Sequence, residues 1–277
     1  SLIKFSHTIF AMPFALIGFF LTSQQYNFEW ITLLYVVLCM LFARSAAMAF
    51  NRYIDRNIDT ANPRTCEIRE IPNGTISAKN ALLFVIVNSL LFIGTTYFIN
   101  PLCFALSPIA LITILGYSYT KRFTALCHLV LGLGLSLAPI GAYLAVSGEF
   151  DIIPILFSFV VLFWVSGFDI IYSLQDEKFD KTQKLHSIPV LLGKKNALNL
   201  AKLLHSVTII LLAQIGNFAE FGKLYWIGFS VFSALLIYQH TLVKHNDLSK
   251  VNLAFFTTNG IASVIFGTFV IADILLK

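Results

Sequence analysis

Amide and carboxylate side chains recur at four-residue intervals where one apolar stretch of the chain ends. Asn51, Asp55 and Asp59 share this spacing, which places them on one stripe of a helix with about 6 Å between neighbours. Oxygen atoms of this kind are the ligands that Mg²⁺ prefers in proteins. The segment therefore predicts a column of oxygen ligands at a helix end.

A second acidic set follows a later apolar stretch. Asp169, Tyr172, Asp176 and Asp180 fall on one helix face by three- and four-residue spacing. Two carboxylate columns within reach of each other repel unless cations lie between them, and Mg²⁺ commonly binds one or two carboxylates together with substrate phosphates. Zinc would need His or Cys ligands, and His186 alone offers little. We favour a magnesium and diphosphate site over a solvated, salt-bridged surface, because the acids form two spaced columns.

The surroundings of the two sets suggest an internal repeat. Asp59 and Asp176 each precede an Ile-Pro pair by the same interval, at 71–72 and 188–189. Farther on, Lys-Asn-Ala-Leu occurs at 79–82 and again at 195–198. The repeat predicts that the two acidic helix ends occupy equivalent positions and face each other across a bundle.

The elements that carry these residues must lie in lipid. Of the 277 residues, 57% are hydrophobic and 12% charged, against about 25% charged in soluble domains. About nine stretches are long enough to cross a bilayer. They begin near Phe5, Trp30, Asn80, Pro101, Leu126, Ile152, Leu198, Leu224 and Val251. The sequence predicts an all-α, polytopic membrane bundle of about nine helices, with residues 1–277 as a single domain and the first stretch as a spanning helix rather than a signal peptide.

The basic residues indicate how the bundle is oriented. If the N-terminus is cytoplasmic, only Lys223 and Lys277 of the 19 Lys and Arg lie on the outer side, and Arg44 and Lys202 lie within helices. This bias fits the positive-inside rule. We therefore attribute the net charge of +5 to orientation rather than to nucleic-acid binding, and both acidic sets are expected to face the cytoplasm.

Arg44 lies two helical turns before Asn51, on nearly the same face. An arginine at that depth needs an anion or a carbonyl partner. The carboxylate of a substrate would serve, because the planar guanidinium binds carboxylates in a bidentate way. Snorkelling of the side chain towards the interface is the equally weighted alternative.

The two acidic sets resemble the motifs of the UbiA superfamily of intramembrane prenyltransferases. The family's first motif has Asn or Asp followed by two Asp at four-residue spacing, and its second has Asp and Tyr upstream of two further Asp; both patterns occur here. Residues 117–122, Tyr-Ser-Tyr-Thr-Lys-Arg, are similar to the family's Tyr-x-x-x-Lys-Arg segment, with Tyr119 where the family commonly has Pro.

The resemblance implies an enzyme that moves a polyprenyl group from its diphosphate to an aromatic acceptor. It implies that Lys121 and Arg122 bind the diphosphate. From the residues themselves we assign substrate binding to Arg44 and Asn51. Tyr172 would lie beside the allylic cation or hydrogen-bond an aspartate, with an interfacial tyrosine as the equally weighted alternative, and Asp169 would orient a partner or accept the ring proton. The implied magnesium ligands are Asn51, Asp55, Asp59, Asp176 and Asp180.

The opening residues 4–15 resemble the branch of 4-hydroxybenzoate polyprenyltransferases, which includes related enzymes that prenylate a hydroxynaphthoate. Both acceptors are acidic phenols, which is consistent with Arg44. The branch implies ubiquinone or menaquinone biosynthesis at a bacterial inner membrane. Two alternatives remain. A secondary transporter would give Asn259, in the last apolar stretch, a role in its path, and a CDP-alcohol phosphotransferase would need an Asp-Gly pair that the sequence lacks.

Overall fold

The computed structural model describes residues 8–23, 25–27 and 29–277, and within them the chain is helical, with one isolated β-bridge between Lys244 and Asp247. A six-residue π-helix, here called the π-segment (Leu253–Thr258), leads directly into the last helix. The α-helices are α1 (Thr8–Phe20), α2 (Trp30–Ile54), α3 (Arg56–Ala61), α4 (Ala78–Ile99), α5 (Pro101–Thr120), α6 (Cys127–Ser147), α7 (Ile152–Ser173), α8 (Glu177–Thr182), α9 (Ile188–Phe218), α10 (Lys223–Leu242) and α11 (Asn259–Leu276).

Several helices begin or end at residues that favour helix caps. The Ser77 hydroxyl accepts a hydrogen bond from the backbone N–H of Asn80 at 3.2 Å and so caps α4. Asn100 caps α5 in the same way, and Pro101 occupies its first turn, where no N–H is needed. Gly148 ends α6 with a φ of 66°, a conformation that favours glycine.

Seven helical segments are long and apolar enough to cross a membrane, by length and composition. They are α2, α4, α5, α6, α7, α9 and the π-segment together with α11. The predicted number of nine is not confirmed. Helix α1 has 13 described residues, and α10, although 20 residues long, carries polar residues such as Gln239 and His240 that lower its hydropathy.

The predicted start of one helix near Leu198 is wrong by about three turns. Helix α9 begins at Ile188 and is kinked at Gly193, where φ is 74°. The apolar pattern is strong only after the charged residues Lys194 and Lys195, so hydropathy alone located the second part of the helix.

Helix packing brings α1, near the start of the chain, into contact with α11, near its end. Helix α1 packs against both α6 and α11, while α7 packs against α6 and α9. The approach of α1 to α11 is close, because a Cβ on Gly267 would lie 2.6 Å from Cβ of Pro13. A core of fully buried aromatic rings fills this region, with Phe14 and Phe232 at 5.3 and 5.6 Å from the ring of Trp164.

Asn259 holds the irregular turn of the π-segment in place. Its Oδ1 accepts a hydrogen bond from Nε1 of Trp164 at 3.0 Å, and its Nδ2 donates to the carbonyl oxygens of Ala254 and Phe255 at 3.1 and 2.9 Å. The side chain is fully buried. These contacts explain why a polar residue is buried here: Asn259 stabilises the packing of the π-segment against α7.

Local backbone structure supports the internal repeat but changes its register. Asp55 (φ −86°, ψ 4°) and Asp176 (φ −95°, ψ −1°) each precede a six-residue helix, α3 and α8. In both, the N–H four residues on, at Asp59 and Asp180, donates to the aspartate carbonyl oxygen. The structural equivalent of Asp176 is thus Asp55, four residues before the Asp59 that the Ile-Pro interval selected.

Candidate active site

Both acidic sets line one polar cavity of about 230 Å³ at a single end of the bundle. The end of α2 and the short α3 supply one side, and the end of α7 and the short α8 supply the other. The predicted site residues on its wall are Asn51, Asp55, Asp59, Lys121, Asp169, Tyr172, Asp176 and Asp180. The prediction that the two sets face each other is therefore confirmed.

Neither set lies on one continuous helix as the spacing predicted. Helix α2 ends at Ile54, and Asp55 adopts a bent conformation before α3 begins. Helix α7 ends at Ser173, so Asp176 lies in the turn before α8. Each helix ends where its acidic residues leave the apolar region, and the bend turns the later carboxylates into the cavity.

Asp55 is the most enclosed of the carboxylates and is bound by two cations from the end of α5. Lys121 Nζ lies 2.8 Å from its Oδ2, and Arg122 Nη2 lies 2.9 Å from its Oδ1. Asn51 Nδ2 donates to the same Oδ2 at 3.1 Å, and Arg122 also donates to the carbonyl oxygen of Ile54 at 3.0 Å. These contacts fix the end of α2 against the end of α5.

Asp176 is bound by Arg64, a residue 112 positions earlier in the chain. The guanidinium donates to both carboxylate oxygens, from Nε at 2.9 Å and from Nη2 at 2.5 Å. Its Nη1 donates to the Tyr172 hydroxyl at 3.3 Å, and Asn62 Nδ2 donates to Asp176 at 3.3 Å. This bidentate pair joins the segment after α3 to the segment after α7.

The carboxylates of Asp59 and Asp180 are less well neutralised by nearby cations than those of Asp55 and Asp176. Burial, followed by the charge of Asp55, raises the pKa of Asp59 to about 6, and burial, followed by the charge of Asp176, raises the pKa of Asp180 to about 6. Asp59 Oδ2 is buried without a hydrogen-bond partner among the described residues, and Arg69 Nε approaches it only to 4.0 Å. A buried carboxylate oxygen without a partner fits a site that is completed by a cation.

The carboxylates do not form a complete metal site by themselves. Within residues 8–277, masked positions aside, no three His, Cys, Asp or Glu side chains are grouped closely enough to hold a metal ion. Mg²⁺ often takes only one or two protein carboxylates and completes its shell with phosphate and water. The residues present therefore fit an ion that is bound together with a phosphate ligand.

A second, larger cavity of about 950 Å³ adjoins the polar one. Its wall is mostly apolar, with side chains such as Met40, Phe92 and Leu135. Arg44 is a cationic group at depth in this wall, and its Nε is buried without a hydrogen-bond partner among the described residues. The residues common to both cavities are Asn51, Arg64, Thr65, Arg69, Tyr117, Leu131, Asp169 and Tyr172.

Most of the chain that forms these two cavities matches a known protein family. Residues 11–261 match the UbiA prenyltransferase family. The chain belongs to that family. It is therefore a prenyltransferase and, with its seven apolar helices, an integral membrane protein. Membership favours the enzyme over the transporter and the CDP-alcohol phosphotransferase.

Relatives named 4-hydroxybenzoate octaprenyltransferase match most of the chain. The 4-hydroxybenzoate octaprenyltransferases of Vibrio parahaemolyticus and Aeromonas hydrophila are 31% and 29% identical over 241 and 240 residues, or 86% and 87% of this chain and 83% of each relative. The apo structure of a UbiA homolog from Aeropyrum pernix K1 matches with a TM-score of 0.88 at 29% identity, over 98% of this chain and 99% of that one. A UbiA homolog from Archaeoglobus fulgidus bound to DMAPP and Mg²⁺ shares the fold, with a TM-score of 0.72 at 23% identity over 98% and 96% of the two chains.

Sequence reasoning missed two residues of this UbiA site, Arg64 and His128. The sequence alone predicts for Arg64 only a contribution to the positive-inside bias, and it predicts no role for His128. The ring of His128 is 2.7 Å from Asp169 and lines the polar cavity. The one signal for Arg64 was its place just after the first acidic set; His128 gave none, because its partner is 41 residues away.

Proposed function

We propose that this UbiA-family enzyme transfers a polyprenyl group from its diphosphate to an acidic phenol in a magnesium-dependent reaction. The observation that carries the proposal is the shared wall between a polar cavity of about 230 Å³ and an apolar cavity of about 950 Å³. A prenyl diphosphate has a charged head and an apolar tail, and the two cavities suit these two parts. The reacting carbon would then lie at the boundary.

Magnesium binding is assigned to both acidic sets. Asn51, Asp55, Asp59, Asp176 and Asp180 would hold the ion, supported by the unpartnered Oδ2 of Asp59 and by the raised pKa of Asp59 and Asp180. A homolog with this fold was solved with DMAPP and Mg²⁺. When bound, the ion would neutralise the diphosphate and stabilise it as a leaving group.

Cationic side chains would bind the diphosphate beside the ion. Lys121, Arg122 and Arg64 each already contact a carboxylate of the site, and their charge would stabilise the negative charge that develops as the carbon–oxygen bond breaks. Tyr172 lies on the wall common to both cavities. Its ring face would stabilise the allylic cation.

The acceptor is assigned to the apolar cavity near Arg44. Its guanidinium would bind the acceptor's carboxylate. Relatives named 4-hydroxybenzoate octaprenyltransferase support 4-hydroxybenzoate, and a hydroxynaphthoate of the menaquinone route presents the same two functional groups. Asp169, on the common wall, would accept the proton that the ring loses after attack.

We further propose that the single domain lies in the bacterial inner membrane with the site open to the cytoplasm, which the distribution of Lys and Arg supports. The partners of the protein would be the polyprenyl diphosphate, the aromatic acid and the surrounding bilayer.

The test is a reaction of the purified protein with Mg²⁺, a polyprenyl diphosphate and either 4-hydroxybenzoate or a hydroxynaphthoate, with products identified by mass. Prenylated acid is expected with Mg²⁺ and not with EDTA. Asp176→Asn is expected to remove product formation while the protein still elutes as a folded species in detergent. Product without added divalent ions, or near-normal turnover by Asp176→Asn, would contradict the metal assignment.

A further inference from the structure

A buried histidine in the wall of the polar cavity contacts Asp169. His128 is only 3% exposed, and its Nδ1 lies 2.7 Å from Asp169 Oδ2. The Asp169 side chain retains 22% exposure and lies on the wall common to both cavities. The carboxylate thus has one oxygen held by the ring, while the described residues give its Oδ1 no hydrogen-bond partner.

The other nitrogen of the ring determines which tautomer is present. The backbone N–H of Ile188, at the start of α9, donates to Nε2 of His128 at 3.3 Å. Because Nε2 accepts this bond, the proton of the neutral ring is on Nδ1, which donates to Asp169. Residues of α6, α7 and α9 therefore fix both ring nitrogens in one orientation.

We propose that His128 is a positioning residue that holds Asp169 as the base of the prenyl transfer; this rests on the proposed function. In the reaction, the carbon–oxygen bond to the diphosphate breaks with its electron pair going to the diphosphate. A ring carbon of the acceptor forms the new carbon–carbon bond. The proton on that carbon passes to Asp169 Oδ1, and the electron pair of the carbon–hydrogen bond restores the aromatic ring.

His128 itself does not take the proton. Its Nδ1 already carries one, and its Nε2 faces the Ile188 N–H. The function of the ring is to prevent rotation of the carboxylate and to leave Oδ1 as the basic atom on the cavity side. An Nδ1–H donor at this place is therefore required, and a titrating imidazole is not.

Three replacements separate these roles. His128→Leu removes the donor, while His128→Asn keeps an N–H donor on the atom that corresponds to Nδ1. His128→Gln places its amide near Nε2 instead, so it can contact Ile188 without reaching Asp169 in the same way, and it serves if His128→Leu does not fold. Thermal melting in detergent checks the fold of each variant.

The assay uses 4-hydroxybenzoate and geranyl diphosphate with Mg²⁺. His128→Leu and His128→Gln are expected to lower kcat about 10- to 100-fold, and His128→Asn to stay within about threefold of the parent. The KM for geranyl diphosphate should change less than about twofold in all three. Deuterium at the attacked ring positions should slow His128→Leu more than the parent, because proton removal becomes rate-limiting.

A double replacement tests whether His128 acts through Asp169. In an Asp169→Asn background, His128→Leu is expected to cause no further loss, because the base it positions is absent. A full additional loss, or equal losses in His128→Leu and His128→Asn, or unchanged kcat in His128→Leu, would overturn the inference. Absence of any prenylated product from the parent protein would instead overturn the proposed function.

Discussion

Replacing Asp59 by Asn is expected to remove activity and yet stabilise the metal-free protein. The Asp59 side chain is buried, its Oδ2 has no hydrogen-bond partner among the described residues, and the nearest cationic atom, Arg69 Nε, is 4.0 Å away. Burial and the neighbouring Asp55 charge raise its pKa from 3.8 to about 6. Its ionised form at neutral pH therefore destabilises the fold unless a cation is bound.

The magnitude follows from this difference in pKa. Raising the pKa of a carboxyl group from 3.8 to about 6 costs about 3 kcal/mol of folding free energy at pH 7. A buried amide in the same place has its own cost of about 1–2 kcal/mol. Asp59→Asn should then gain about 1–2 kcal/mol, which raises the melting temperature by about 2–8 °C in a chain of this size.

The pH dependence gives the sign of the effect. Between about pH 4 and pH 6, Asp59 is protonated in the folded protein and ionised in the unfolded one, so the folded state binds more protons and the stability of the parent falls as pH rises. Below about pH 4 both states are protonated and the penalty disappears. The advantage of Asp59→Asn should therefore be largest at pH 7 and small or reversed at pH 4.5.

The assay is thermal melting of detergent-purified protein in EDTA at both pH values, beside turnover with Mg²⁺. Asp247→Asn, at a carboxylate that is exposed, is the control for removal of one negative charge. The reasoning is refuted if Asp59→Asn melts at or below the parent temperature at pH 7, or if the difference is the same at the two pH values.

Three further changes test other parts of the molecule. Arg44→Ala should raise the KM for the aromatic acid about tenfold or more, since a charge-assisted bidentate bond is lost, and leave that for the diphosphate unchanged; equal losses for both would remove its assigned role. Asn259→Leu should lower stability by about 1–3 kcal/mol, measured by melting, because the Trp164 N–H loses its acceptor and the carbonyl groups of Ala254 and Phe255 each lose the Asn259 donor. Gly132→Ala should destabilise by about 1–3 kcal/mol, because its Cβ would lie 2.5 Å from a backbone oxygen of α7, whereas Gly141→Ala in the same helix meets nothing within 4 Å and should melt like the parent.

The sequence predicted those features that depend on neighbours along the chain. Apolar runs gave the helices, and four-residue spacing brought Asn51, Asp55 and Asp59 to one wall even though the helix bends at Asp55. Contacts between distant residues could not be predicted in this way. Arg64 and His128 bind carboxylates 112 and 41 residues away, and only the folded bundle brings them together.

Hydropathy located one helix, α9, only in part. It located the apolar part of α9 but not the ten residues before it, since the Gly193 kink lies in a charged stretch. The predicted span at α10 is not among the seven segments that are long and apolar enough to cross a membrane, so it stays a prediction.

The contact between α1 and α11 has a consequence for how the protein is made. The first helix leaves the ribosome long before the partner that covers its Gly267-facing side, where Pro13 would meet any larger side chain. That surface of α1 stays without this partner, in the translocation machinery or the lipid, until α11 is synthesised. A nascent chain that stops before Val251 would leave this side of α1 exposed, although its contact with α6 could already form.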